Sequence, residues 1–387
     1  MRIAQVAPLY ESVPPQLYGG TERVVSYLTE ALVEMGHEVT LFASGDSVTR
    51  AKLVAACPRS LWHDPDCRET LPHHVREMEM VFEDVSRFDV IHFHTDYLHF
   101  PMLRQHRCQS VTTIHGRLHT PDLKSLFEEN EEVPLVSISD NQRLPLPAAN
   151  WLATVYHGLP RGLHTFRGQP DNYLAFLGRI SPEKRLDRAI EIARLSGRRL
   201  KVAAKIYPEE RGYFAEVIEP LLEQSHSFVE FVGEVGGREK DEFLGGAAAL
   251  LFPIDWAEPF GLVMIESLAC GTPVIAWRNG SVPEIIEDGV TGFVVEGIQQ
   301  AVRGVGQITT LSRTRCREAF EERFDSTRMA GGYLEVYRRL NCYQPNAAEE
   351  VAHAAGTTAR GISGGRKNAK VRRSVAFPLW GATREAT

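Results

Sequence analysis

Two carboxylates, Glu258 and Glu266, are separated by seven residues in the run WAEPFGLVMIESLACGTPVIAW. Pro259 reads as a first-turn proline, because the amide it lacks would have no helical partner there. Gly261 lets the backbone approach a ligand with no Cβ in the way. Leu262 to Cys270 then reads as a short apolar helix, ended by Gly271 and Pro273. Free amides at a helix start attract anions, so this spacing points to a site that holds a phosphate and hydroxyl groups together. A blander reading is two surface acids favourable to the helix dipole. Against it, Glu266 lies between Ile265 and Leu268 in an apolar helix, where a carboxylate needs a partner.

The cations that could complete such a site lie in LGRISPEKRLDRAI, residues 177 to 190. Arg179 stands at a strand end, and Lys184 falls in the first turn of a helix opened by Ser181, Pro182 and Glu183. Both could reach a diphosphate lying on that turn. Lys205, in LKVAAKI, either adds to this positive charge or merely closes its strand. Gly19-Gly20 marks a turn before a helix. The histidines of IHFHTDYLH and TTIHGRLH are His92, His94, His99, His115 and His119. His92 and His94 share one strand face, but no third metal ligand has suitable spacing, so no metal site is assigned. Asp64-Pro65-Asp66 mimics a D-x-D motif without the apolar strand that should precede one.

The elements that must carry these residues alternate. Buried-type strands are expected at Ile3–Ala7, Val39–Ala43, Val90–Phe93, Val111–Ile114, Leu135–Ile138 and Ala153–Tyr156. Thr21 can cap a helix that Gly36 stops. A turn-rich linker over 158–172 precedes a second series at Tyr173–Leu177, Leu200–Ala204, Val229–Val232, Ala249–Phe252 and Val274–Trp277. Ser139 with Gln142, and Ser281 with Glu284, have capping-box spacing. The stretch from Arg50 to Arg87 carries little pattern. Strand, loop, helix, strand repeats imply an α/β fold with two doubly wound, Rossmann-like domains facing a cleft. The boundaries expected are 1–165, 166–325, a closing helix over 326–344 able to cross back to the first domain, and a tail over 345–387.

Composition limits the class. With 387 residues, two domains are the default. The net charge of −7 argues against a nucleic-acid partner. Six cysteines without a C-x-x-C pair read as free thiols in a reducing compartment. The N-terminal apolar run is too short for a signal peptide, and no window approaches the ~20 apolar residues of a membrane span. A cytoplasmic protein is expected, unless tethered from outside. The tail holds seven Lys/Arg against three Glu and reads as disordered. Its run GRKNAKVRR leaves open a peripheral contact with anionic lipid at the inner face of the membrane.

The run EPFGLVMIE, continued in order by ACGTPVIA, SVPEII and DGVTGFVV, resembles the E-x7-E region of retaining glycosyltransferases of the GT-B fold, family four (glycosyl transferases group 1). Arg179 and Lys184, with Gly178 before them, resemble that family's G-R…K segment. The likeness covers roughly residues 1 to 340 and is strongest from Gly178 to Val295. It implies transfer of a sugar from a nucleoside-diphosphate donor to an acceptor with retention of configuration, no further cofactor being required. Glu266 would hold the ribose and Glu258 the donor sugar. Arg179 and Lys184 would neutralise the diphosphate, with Phe260, Gly261, Leu262, Lys205, Gly19 and above all Gly20 around the donor. His115 resembles the histidine beside the transferred sugar, and His157 a residue of the domain junction. The acceptor (sugar, glycan or lipid-linked) would sit on the first domain. Rivals on the same fold are a non-hydrolysing sugar-nucleotide epimerase, which lacks the paired acids, and a non-catalytic sugar-nucleotide-binding protein.

Overall fold

Strands buried on both faces read as continuous apolar runs, and here such runs form two separate parallel sheets. The computed structural model describes residues 1–16, 19–106 and 108–342. The first sheet holds β1 (Arg2–Val6), β2 (Glu38–Ser44), β3 (Lys52–Cys57), β4 (Val90–Phe93), β5 (Ser110–Thr113), β6 (Leu135–Ser137) and β7 (Trp151–Thr154), in the order β3-β2-β1-β4-β5-β6-β7. The second holds β8 (Tyr173–Arg179), β9 (Arg199–Lys205), β10 (Val229–Gly233), β11 (Ala249–Phe252), β12 (Val274–Trp277) and β13 (Gly292–Val295), in the order β10-β9-β8-β11-β12-β13. Strand order reverses beside β1 in one sheet and beside β8 in the other. Crevices at the carboxyl ends of such reversals are where open α/β sheets take ligands.

Several local expectations change. The helix Gly20–Glu34 starts one residue before Thr21, and its N-cap is Gly19 at φ 139°. A Cβ on Gly19 would come 2.8 Å from Pro15, so glycine is required there sterically as well as conformationally. The helix with Glu266 runs from Leu262 to Ala269, which leaves Pro259 in the preceding loop. Lys184 lies in a 3-10 turn, Pro182–Lys184, and the following helix begins only at Leu186. Between them Arg185 adopts φ 55°, held there by Asp187 and Asp255. Ser139 accepts a hydrogen bond from the Gln142 amide as a cap should, whereas Ser281 does not cap the short helix Val282–Ile285. The weakly patterned stretch contains β3, a turn at Leu61–His63 and the helix Leu71–Glu83, which buries Met78, Val81 and Phe82.

The last helix, Ser326–Cys342, returns to the first sheet and packs against the helix Gly20–Glu34. Tyr333 and Tyr337 on it are fully buried, their hydroxyls bonded to Thr113 and Gln5. Just before it the chain crosses the connecting segment: Leu159 donates to the Phe324 carbonyl, and Ser326 donates to the Leu159 carbonyl, both at 2.9 Å. A Cβ on Gly158 would overlap the Asp325 carbonyl, so this crossing needs a glycine. Among the described residues no helix is long and apolar enough to cross a membrane. The tail over 345–387, with its basic run, lies outside them.

Candidate active site

The carboxyl ends of β1, β4, β5, β8, β9 and β11 open on one cavity of about 640 Å³, and every site residue named from the sequence lines it. Gly20 stands opposite Leu262, so the two glycine-bearing loops meet there: a Cβ on Gly20 would lie 3.9 Å from Leu262 Cδ1. Gly261 takes φ 81° as the N-cap of the helix Leu262–Ala269. The left-handed turn brings the first amides of that helix to the cavity, where they lack helical acceptors.

The loop carrying Glu258 is braced from behind. Ser281 donates its amide to the Glu258 carbonyl (2.9 Å) and its hydroxyl to the Phe260 carbonyl (2.7 Å). That second bond is why Ser281 does not cap its own helix. Gly280, at φ 58°, presses so close to Glu258 that a Cβ would overlap its backbone. Phe260 is buried and packs edge-on against His157 at 4.8 Å, so only its backbone is left to meet a ligand.

The charges are paired. Lys184 Nζ donates to Glu258 Oε2 at 2.5 Å and lies 4.7 Å over the Trp256 ring. Arg179 bonds Glu183 at 2.5 Å and Glu210 at 3.1 Å, and its register partner across the sheet is Lys205. Two cations therefore end adjacent strands side by side. Lys205 ends β9, lies 3.8 Å from Glu234 and lines the cavity. Glu266 is buried and ion-paired to Lys240. Burial opposes its ionisation, but Lys240 outweighs this and holds the carboxyl below its usual value. Lys240, on the helix Gly237–Gly246, is the partner the sequence required without identifying.

Facing this half is a column of neutral histidines. Burial pushes His92, His94 and His157 well below their ordinary value, and His115 down to about 3. Hydrogen-bond directions settle their tautomers. Gln5 Nε2 donates to the Tyr337 hydroxyl (3.1 Å), so its Oε1 accepts from His94 Nε2 (2.8 Å). A neutral His94 then accepts at Nδ1, which lies 2.9 Å from His115 Nε2. His115 thus keeps its proton on Nε2 and leaves Nδ1 as a buried lone pair with no partner among the described residues. His157 stacks on His115 at 5.2 Å. His92 uses Nδ1 on Tyr337 and Nε2 on Thr113, both at 2.7 Å, so neither nitrogen is free for a cation. Asp64 accepts from the Asp66 amide in a surface turn.

Residues 165–323 match the family described as Glycosyl transferases group 1, and residues 18–153 match Glycosyltransferase Family 4. The N-acetyl-alpha-D-glucosaminyl L-malate synthase of Bacillus anthracis is 25% identical over 365 residues, 82% of this chain and 93% of that protein. Matches to an uncharacterized 41.2 kDa protein of the Klebsiella pneumoniae cps region and to D-inositol 3-phosphate glycosyltransferases of Mycolicibacterium smegmatis and Saccharomonospora viridis cover less than half of those proteins' length. Among solved structures, AviGT4, a glycosyltransferase involved in avilamycin A biosynthesis, has a TM-score of 0.69 at 25% identity over 89% of this chain and 98% of its own. Anabaena HepE in complex with UDP-glucose has a TM-score of 0.66 at 16% identity over 88% and 100%.

Proposed function

We propose that this chain, a GT-B glycosyltransferase by its fold and by the family matches of both halves, transfers a sugar from a nucleoside-diphosphate donor with retention of configuration. The observation that carries the reading is one cavity in which buried, ion-paired acids, a cation pair and free helix amides face an unpartnered imidazole nitrogen. Glu266, kept ionised by Lys240, accepts from ribose hydroxyls. Glu258 contacts the donor sugar. Arg179, Lys184 and the amides after Gly261 hold the diphosphate, with Lys205 adding charge from the next strand and Gly19 and Gly20 closing over it. His115 Nδ1 accepts from a sugar hydroxyl.

In the reaction the bond from the anomeric carbon to the phosphate oxygen breaks, and its electron pair leaves with the nucleoside diphosphate. The acceptor oxygen bonds the same carbon from the same face, and its proton passes to the leaving phosphate. No side chain is placed as a covalent nucleophile. Catalysis rests on stabilising the departing charge in a shielded cleft. Cations and amides suffice for that charge, so the reaction needs no metal and no cofactor beyond the donor. A non-hydrolysing epimerase lacks the paired acids Glu258 and Glu266, and a non-catalytic binding protein would release no nucleoside diphosphate. The fold shared with HepE, solved with UDP-glucose, makes UDP-sugars the first donors to try.

The test is to incubate the protein with a panel of nucleotide sugars and follow slow release of nucleoside diphosphate. Release from one donor, reduced about a hundredfold in Glu258→Ala, is the expected result. No release from any donor, or release indifferent to that substitution, would sink the reading.

A further inference from the structure

The donor reading leaves unexplained the wall that the first half contributes to the same cavity. Tyr10 and Trp62 line it with ring centroids 5.1 Å apart, and Trp62 is 58% exposed. The pair is rigidly mounted. Leu61 and Trp62 donate their amides to the Leu9 and Tyr10 carbonyls at 2.9 and 3.1 Å. Behind Tyr10, the His74 ring stands at 4.8 Å, its Nε2 accepting from the Leu9 amide and its Nδ1 bonded to the Thr70 carbonyl. A large ring left in water, yet held by backbone bonds, is the kind of exposed apolar surface that marks a binding face.

Asp96 lies on the same wall. Its backbone is left-handed at φ 51°, and no hydrogen bond or ion pair engages its carboxylate among the described residues. The residue is exposed to solvent, and crowding by nearby protein still raises that carboxyl above its ordinary value. The charged residues this half gives the cavity are Glu22, Arg23, Asp96 and Arg117. The Arg117 guanidinium lies 4.6 Å over the Trp256 ring of the other half. Arg117 is thus held on an aromatic ring and Arg23 is itself engaged, so the wall offers no spare cation to an acidic ligand.

We propose that Tyr10, Trp62 and Asp96 form the acceptor subsite, and that the acceptor is an uncharged sugar unit. One pyranose face, with its C–H bonds directed at the negative faces of the rings, stacks on Trp62 and Tyr10. A hydroxyl of the same ring donates to the Asp96 carboxylate. An acceptor such as L-malate, the acid in the name of the Bacillus anthracis relative, would bring its carboxylates against Asp96 instead. The inference rests on the transferase reading above and adds the acceptor's class to it.

The experiment uses the full chain with whichever donor the nucleotide-sugar panel identifies. Nucleoside-diphosphate release is measured with methyl glucosides, maltose and lactose, and separately with L-malate and an inositol phosphate. The expected result is stimulation by at least one neutral saccharide and by neither acid. That stimulation should fall about tenfold or more in Trp62→Ala and in Asp96→Asn and return in Trp62→Phe. Calorimetric binding of the nucleoside diphosphate and the melting temperature report whether each variant keeps its fold and its donor half. Stimulation by the acids alone, by no saccharide, or equally in all variants overturns the proposal while leaving the donor reading standing. If wild-type protein neither binds nor hydrolyses any donor, the transferase reading itself has failed, and the acceptor class falls with it.

Discussion

At the scale of single residues, Glu22 is the clearest source of pH dependence. It sits in the first turn of the helix Gly20–Glu34, 5% exposed, against the loop of Gly19. Burial pushes its carboxyl up from 4.5 to about 7, helped by the nearby Glu11 charge. Between those values the folded chain keeps a proton that the unfolded chain has lost. Stability from this group is therefore full below pH 4.5 and declines as pH rises through 7, by about 3 kcal/mol in the limit. Glu22→Gln should match the wild-type melting temperature at pH 4.5 and exceed it at pH 8. A difference independent of pH would contradict this. The site's own residues were legible singly because each obeys a local rule, as Glu266 in an apolar helix does. Lys240 was not, since its meeting with Glu266 depends on how two helices pack. Trp62 and Asp96 carried no period or cap to betray them.

Between elements, local pattern and tertiary demand part company at Ser281 and Glu284. Their capping-box spacing suggested a reciprocal cap, yet Ser281 turns to the Phe260 carbonyl. Glu284 reaches the other half, accepting from the Asp140 and Asn141 amides at 2.7 and 2.8 Å and from the Tyr156 hydroxyl at 3.1 Å. The spacing was real, but both side chains found longer-range partners. Gly19 displaced Thr21 as a cap for a similar reason: the loop must pass Pro15 with no Cβ. The Glu284 contact bridges the two halves. Glu284→Ala should open them, raising the radius of gyration in solution scattering and the KM for donor several-fold, as loss of charge-assisted bonds of about 1–3 kcal/mol implies. Unchanged scattering and KM would show that this contact does not hold the two halves together.

For the whole molecule, the sequence sufficed to place two doubly wound sheets, because fully buried parallel strands leave a strong apolar signal. How the halves are joined was less visible. One continuous apolar core runs from Ile3 through Val155, Leu159 and Phe324 to the second sheet, with the closing helix sealing it through Tyr333 and Tyr337. That arrangement sets Glu258, Glu266, Arg179 and Lys184 opposite the histidine column. The central claim is that the second half grips a nucleoside diphosphate through Arg179 and its neighbours. Calorimetric titration of nucleoside diphosphates, UDP first, into wild type and Arg179→Ala tests it most directly. One nucleotide should bind wild type and bind the variant about tenfold or more weakly, the loss expected for a charged hydrogen bond. Equal affinity in both proteins, or no binding by wild type, would contradict the account.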